Sequence, residues 1–338
     1  MDWSDVLGKL AGGQDLSRAQ ARAALNEIMS GKATAAQTSA FMVALRIKGE
    51  TTEEMVGLVE TMRSVGVRVS IGAPVVDTAG TGGDRSGTFN ISTTAALIAA
   101  GAGAKVAKHG NRSASSQCGS ADVLEALGVG IELEPDHTAE MVRQAGFGFF
   151  FAPRYHPAMR HVVPIRRQLG IPTVFNFLGP LTNPAGAARQ LIGVYDSRMA
   201  ERMIGVLSRL GTERALVIHA DNGLDEVSVS GPTRGFELSG GEVVPVVFTP
   251  EDFGLMASDV SDLSGGDAPC NARILRAVMA GEVSPRRDAA LANAAATLMV
   301  AGLADNPAEG TEMAARSIDS GAARAVLDQV IEMSKSPL

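Results

Sequence analysis

The run Asp77-Thr-Ala-Gly-Thr-Gly-Gly-Asp84, the segment Gly87-Thr-Phe-Asn-Ile-Ser-Thr93 and the downstream Lys108-His-Gly-Asn-Arg-Ser113 hold residue types suited to gripping a phosphorylated sugar. Gly80, Gly82, Gly83 and Gly87 leave backbone amides free to approach an anion, and a helix expected from Ser92 onward adds the positive end of its dipole. Asp84 would repel a phosphate unless it serves a ribose hydroxyl, a backbone amide or a metal-bound water, so a sugar or a cation belongs in the same place. Lys108 offers a point charge, Arg112 a planar fork, and Ser113, Ser115, Ser116 and Ser120 hydroxyl donors, a set that suits an extended polyphosphate. Ser120, in Gly119-Ser-Ala-Asp122, is also a candidate helix cap.

Two commoner glycine loops are excluded by spacing. No Gly-x-x-x-x-Gly-Lys-Ser/Thr occurs, and Arg85 stands where a dinucleotide fingerprint starting at Gly80 wants its third glycine.

The elements that must position these residues follow from the flanking sequence. Val75 and Val76 read as a buried strand that feeds the glycine loop, and 104–107 as the next strand, so both loops leave one sheet edge, where open α/β sheets bind ligands. Residues 1–66 carry helical patterns over 17–30, 34–48 and 51–65, the last opened by a Thr51-x-x-Glu54 capping box, and form a small all-α unit. Beyond them, apolar runs at 147–151, 191–195 and 215–219 alternate with amphipathic helices, which gives an α/β unit over 67–338 with a largely parallel sheet. Residues 226–247, with short strands and glycine turns, read as an antiparallel addition. The Ala-rich runs 91–107 and 289–304 read as buried helices, because they are interrupted by Thr or Asn and are shorter than the roughly 20 residues of a membrane span.

The chain has 338 residues, enough for about two domains at about 150 residues each. Its net charge of −7, from 30 basic and 37 acidic residues, argues against a general binder of nucleic acid or acidic membranes. A polyanion site in such a chain needs locally placed Lys and Arg and a divalent cation. Cys118 and Cys270 give neither a disulfide framework nor a zinc motif and read as free thiols of a reducing, cytoplasmic compartment. The acidic start, without an apolar core, does not read as a secretion signal.

Together, Gly-Thr-Gly-Gly-Asp, Asn-Ile-Ser-Thr and Lys-His-Gly-Asn-Arg-Ser resemble the anthranilate phosphoribosyltransferase family. Pro164-Ile-Arg-Arg-Gln-Leu-Gly170, Thr173-Val-Phe-Asn-Phe-Leu-Gly-Pro-Leu-Thr-Asn-Pro184 and Gly223-Leu-Asp-Glu-Val-Ser228 extend the likeness in order over nearly the whole chain. Gln117 and Cys118, where relatives often carry Lys and Ser, and Thr78-Ala79, where an aliphatic pair is usual, are departures that remove nothing the chemistry needs.

The resemblance implies transfer of the phosphoribosyl group of phosphoribosyl pyrophosphate (PRPP) to the amine of anthranilate, with Mg²⁺, in tryptophan biosynthesis. It implies the nucleoside phosphorylase/phosphoribosyltransferase type of fold. There the segment near 157–184 returns to the N-terminal helices, so that the small domain is discontinuous and the site lies in the cleft between domains. It also implies a homodimer through those helices. PRPP contacts fall on Gly80, Gly82, Gly83, Asp84, Thr88, Asn90, Ser92, Thr93, Lys108, Gly110, Arg112, Ser113, Ser116 and Ser120; His109, Asn111, Gly179 and Pro180 line the acceptor channel; Arg166 grips the anthranilate carboxylate. Asp225, Glu226 and Ser92 are the expected Mg²⁺ ligands, since that ion takes one or two carboxylates and completes its shell with phosphates and water. His137, His156, His161 and His219 show no ligand spacing and are given no role. No covalent nucleophile is required; Lys108 and Arg166 act by charge and position. The competing readings are a pyrimidine nucleoside phosphorylase, which differs around the Lys-His step, and a non-enzymatic nucleic-acid-binding relative, which would show a basic face and degraded motifs.

Overall fold

The computed structural model of the protein describes residues 1–84, 86–113 and 117–335. Four helices open the chain: α1 (Trp3–Ala11), α2 (Arg18–Met29), α3 (Ala35–Lys48) and α4 (Thr52–Val65). The Thr51/Glu54 capping box forms as expected, and Ser17/Gln20 and Thr34/Gln37 build the same reciprocal cap. The first helix lies outside the helical patterns read from sequence; Asp2 starts it by accepting the amides of Ser4 and Asp5.

The rest of the chain builds one sheet: β1 (Val76–Gly80), α5 (Ile91–Gly101), β2 (Val106–Gly110), α6 (Ser120–Leu127), α7 (Pro135–Ala145), β3 (Phe147–Phe151), α8 (Ala152–Tyr155), α9 (Val163–Leu169), α10 (Phe175–Leu178), β4 (Arg189–Gly193), α11 (Ser197–Arg209), β5 (Arg214–Ala220), β6 (Thr233–Ser239) and β7 (Glu242–Phe248). Four helices close the fold: α12 (Ala268–Met279), α13 (Pro285–Ala301), α14 (Pro307–Asp319) and α15 (Ala322–Met333). Strand order is β3-β2-β1-β4-β5-β6-β7, parallel from β3 to β5 and antiparallel from β5 to β7. The chain moves outward from β1 in both directions, to β2 on one side and β4 on the other, and the C-terminal ends of β1 and β4 therefore flank a crevice suited to a ligand.

Burial explains the two layers. On one face, Leu97, Ile98, Leu291 and Leu298 join α5 and α13 to β1 and β2 in one apolar cluster. On the other, Phe41, Leu45, Met55 and Leu58 of the opening helices pack with Val162, Phe175, Phe177 and Leu181 and with Ile192, Met203 and Val217. The segment between β3 and β4 thus shares its core with α1 to α4.

Three local expectations shift. Residues 91–107 are not one helix: α5 stops at Gly101, Gly103 takes a φ of +104°, and β2 begins at Val106. The second strand runs past 107 to Gly110, which makes Lys108 and His109 strand residues rather than loop residues. It can continue because the Lys108 ammonium finds the carbonyl of Thr78 at 2.6 Å and is not left unsatisfied. Ser120 is the first residue of α6 and Gly119 occupies the cap position.

Candidate active site

β1 delivers the glycine loop. Thr81 is tied to β4 through its amide to the Gly193 carbonyl at 2.9 Å, and its hydroxyl accepts the Tyr195 amide at 3.3 Å. Gly82 and Gly83 have φ of +64° and +90°, values that favour glycine. The amide of Gly82 donates to Asp225 Oδ2 at 2.7 Å, and a Cβ on Gly80 would stand 2.5 Å from that same oxygen. A Cβ on Gly193 would stand 1.6 Å from the Asp225 carbonyl, so the turn that carries the acids rests directly on the sheet backbone. Asp84 accepts the Ser86 hydroxyl at 2.5 Å, and Thr88 bridges to Ser264.

Lys108, Asp225 and Glu226 form the charged centre. Lys108 is 2% exposed; its Nζ donates to Thr78 and, at 3.3 Å, to the Ser92 hydroxyl. Glu226 accepts the Ser92 amide at 3.2 Å, at the N-terminus of α5. Burial, then the neighbouring Asp84 charge, raises Asp225 to about 7, and burial with Asp225 itself raises Glu226 to about 8. Burial lowers Lys108, against the pull of Asp77, Glu226 and Asp225. Among the described residues no group of three or more His, Cys, Asp or Glu side chains is placed to hold a metal. The paired acids nonetheless fit Mg²⁺: both are costly to ionise where they are, and a divalent cation would supply the missing counter-charge while leaving coordination sites for substrate oxygens.

Around this centre the phosphate candidates divide. Asn90, the N-cap residue of α5, accepts Nδ2 of Asn271 at 2.9 Å and donates to the Cys118 carbonyl at 3.2 Å. Thr93 is buried, with its hydroxyl unpartnered among the described residues. Gly110 is tight: a Cβ there would meet Ser120 Oγ at 2.4 Å. Ser120 donates to the Asn111 carbonyl at 3.2 Å, and the Ser113 amide donates to Asp122 at 3.1 Å. The Arg112 guanidinium is engaged by Glu125 and Asp122 and lies over the Phe151 ring, 5.6 Å from its centroid. Ser115 and Ser116 lie outside the described residues.

Of the acceptor candidates, His109 and Gly179 meet directly, whereas Asn111 lies with Ser120, whose hydroxyl its carbonyl accepts, and Arg166 contacts Asn176 and Phe175. His109 Nδ1 faces the Gly179 carbonyl at 3.2 Å, which assigns the ring proton to Nδ1. Among the described residues its Nε2 is buried without a partner. Burial, then the neighbouring His156, lowers His109 to about 3, so the ring is a neutral hydrogen-bond acceptor and a weak base. Gly179 and Pro180 sit in one tight turn; the Pro180 carbonyl accepts Gln190 Nε2 at 2.8 Å. Arg166 on α9 donates to Asn176 Oδ1 at 3.3 Å, covers the Phe175 ring at 5.7 Å and is lowered by burial alone, with no carboxylate beside it among the described residues. Arg167, its neighbour, is exposed.

Residues outside the sequence-derived set complete the site. Tyr195 packs against Gly83, with ring carbons 3.5 Å from the position of a Cβ there, and stacks on Phe177 at 5.7 Å. His156 lies 5.2 Å from the His109 ring. An isolated Tyr or His in a loop carries no spacing signal, whereas Asp77, a carboxylate inside an apolar strand, does.

The parallel-centred sheet and the helical unit packed on it are the two domains of a glycosyl transferase. The helical bundle domain of that family matches residues 4–66 and its a/b domain residues 72–324. Anthranilate phosphoribosyltransferases from Chloroflexus aurantiacus and Moorella thermoacetica are each 50% identical, covering 99% of this chain and 99% of the relative, and 98% and 98%. The crystal structure of anthranilate phosphoribosyltransferase from Thermus thermophilus superposes with a TM-score of 0.93 at 39% identity, over 98% of this chain and 100% of that one. The Saccharomyces cerevisiae enzyme in complex with PRPP and Mg superposes with a TM-score of 0.90 at 30% identity, over 99% and 98%. The chain belongs to the anthranilate phosphoribosyltransferase family.

Proposed function

We propose that this chain transfers the phosphoribosyl group of PRPP to the amine of anthranilate, giving N-(5-phosphoribosyl)anthranilate and pyrophosphate in tryptophan biosynthesis. The carrying observation is the meeting of the Gly82 amide, Asp225, Glu226, Ser92 and Lys108 at the ends of β1 and β2. Mg²⁺ held by Asp225, Glu226 and Ser92 would supply positive charge for the pyrophosphate oxygens. The Gly83 amide, with Asn90, Thr93 and the serine-rich loop after β2, holds the phosphates; the Gly82 amide, expected free, is taken by Asp225, so Gly80 and Gly82 serve by letting the backbone pass close to the acids. Lys108 places a cation beneath the departing group, where charge develops in an oxocarbenium-like transition state.

The acceptor binds across from this centre. Arg166 pairs with the anthranilate carboxylate, which suits a buried guanidinium lacking an anionic partner. The amine faces His109 Nε2, which orients it by accepting a hydrogen bond; nitrogen attacks C1 as the C1–oxygen bond to pyrophosphate breaks. The released proton goes to water or to the substrate's own carboxylate, because a ring with its pKa near about 3 is too weak a base to take it.

Residues 1–66 with the return segment near 157–184 make the smaller domain in this reading, and 67–338 the larger. Ile47, 81% exposed on α3, supports a homodimer through the small domain. Among the described residues no helix is long and apolar enough to cross a membrane, and the acidic balance, with Cys118 and Cys270 outside any disulfide, supports a cytoplasmic setting. Pyrophosphate release from PRPP, measured with and without anthranilate, tests the reaction: anthranilate-independent or absent release overturns it. Light scattering tests the dimer, which Ile47→Glu should dissociate.

A further inference from the structure

Asp77 on β1 is fully buried and bonds to a second strand and to the segment before β4. Its Oδ1 accepts the His109 amide at 3.1 Å, and its Oδ2 accepts Asn183 Nδ2 at 2.7 Å. Asn183 Nδ2 also donates to the Ala107 carbonyl at 2.8 Å, and its Oδ1 accepts the Ala185 amide at 2.8 Å. One carboxylate therefore joins the strand that feeds the glycine loop, the strand that carries Lys108 and His109, and the segment whose Gly179 carbonyl meets the His109 ring.

We propose that Asp77 is a positioning residue that sets the acceptor wall against the donor site: through Asn183 and the His109 amide it fixes where His109 Nε2 and Gly179 stand relative to the glycine loop. The inference rests on the assignment of His109, Gly179 and Arg166 to the acceptor. A bare structural buttress would be cheaper as an apolar residue, because a buried carboxylate carries a desolvation penalty. A carboxylate is the side chain that presents two acceptors and no donor to two donors on different elements. Asparagine of the same size cannot replace it: its NH₂ must oppose either the His109 amide or the Asn183 NH₂, and one of the two links is lost.

The test is Asp77→Asn, with Arg166→Ala made in parallel, measuring KM for each substrate, kcat and thermal stability. Misplacing the acceptor wall should raise the anthranilate KM about tenfold and lower kcat, with the PRPP KM within about twofold of wild type. Equal rises in both KM values, or a lowered melting temperature with both KM values unchanged, overturn the positioning role. Unchanged anthranilate KM in Arg166→Ala shows instead that the acceptor assignment is wrong, and the inference falls with it. If Asp77→Asn does not fold, Asn183→Ala, which removes the same link from its other end, is held to the same outcomes.

Discussion

Asp225 Oδ2 accepts the amide of Gly82 at 2.7 Å, so an expected metal ligand is also an anchor of the phosphate loop. Its partner Glu226 bonds the first turn of α5 through Ser92. Replacing both acids with Ala should release the metal that neutralises the pyrophosphate and loosen the loop together, lowering kcat/KM by on the order of a hundredfold or more with the fold intact by circular dichroism. Full activity in that double variant, or in excess EDTA, would exclude the metal role. Glu226→Gln, which leaves the Gly82 anchor alone, should retain PRPP binding better than Asp225→Ala.

The glycines differ in why they resist substitution. Gly80→Ala places a methyl 2.5 Å from Asp225 Oδ2, whereas Gly83→Val is opposed by a φ of +90°. Both should weaken PRPP binding measured by calorimetry, Gly83→Val through strain of about 1 to 3 kcal/mol in the loop. Wild-type affinity in Gly83→Val would mean that the loop does not contact PRPP.

Arg166 and Arg167 form an internal control. A charge-assisted pair with the anthranilate carboxylate contributes roughly 1.5 to 3 kcal/mol, so Arg166→Ala should raise the anthranilate constant roughly ten- to a hundredfold. The PRPP constant should barely move, and exposed Arg167→Ala should change neither. A larger anthranilate defect in Arg167→Ala would move the acceptor pocket elsewhere.

His109 makes stability depend on acid. Burial first, then His156, lowers its pKa from 6.5 to about 3, so between those values the unfolded chain binds a proton that the native ring refuses. Native stability from this source is complete above 6.5 and is lost as pH falls, by about 1.4 kcal/mol per pH unit. His109→Gln removes the titrating ring, and between pH 6.5 and 5 it should lose about 2 kcal/mol less than wild type in urea denaturation. Equal losses in the two proteins would place His109 in contact with water.

What the sequence revealed, and what it hid, follows from the range of each interaction. The 51–65 helix, the strand–glycine loop–helix unit and the antiparallel pair β6–β7 were legible because caps, glycines and alternation are local. Lys108 was read as a loop residue because a charged side chain in a strand looks improbable until the Thr78 carbonyl that receives it is known. The partners of Arg112, Glu125 and Asp122, follow it on α6, and nothing in that spacing announces that they occupy the guanidinium. Tyr195 was invisible for the same reason: its contact with Gly83 exists only because β4 lies beside β1.

The backbone of Asp225 bears on Gly193 with no room for even a methyl group between them. The acids are therefore the stationary jaw of the cleft, braced against the sheet. Any adjustment to substrates of different size falls to the glycine loop and the helices, not to the acids.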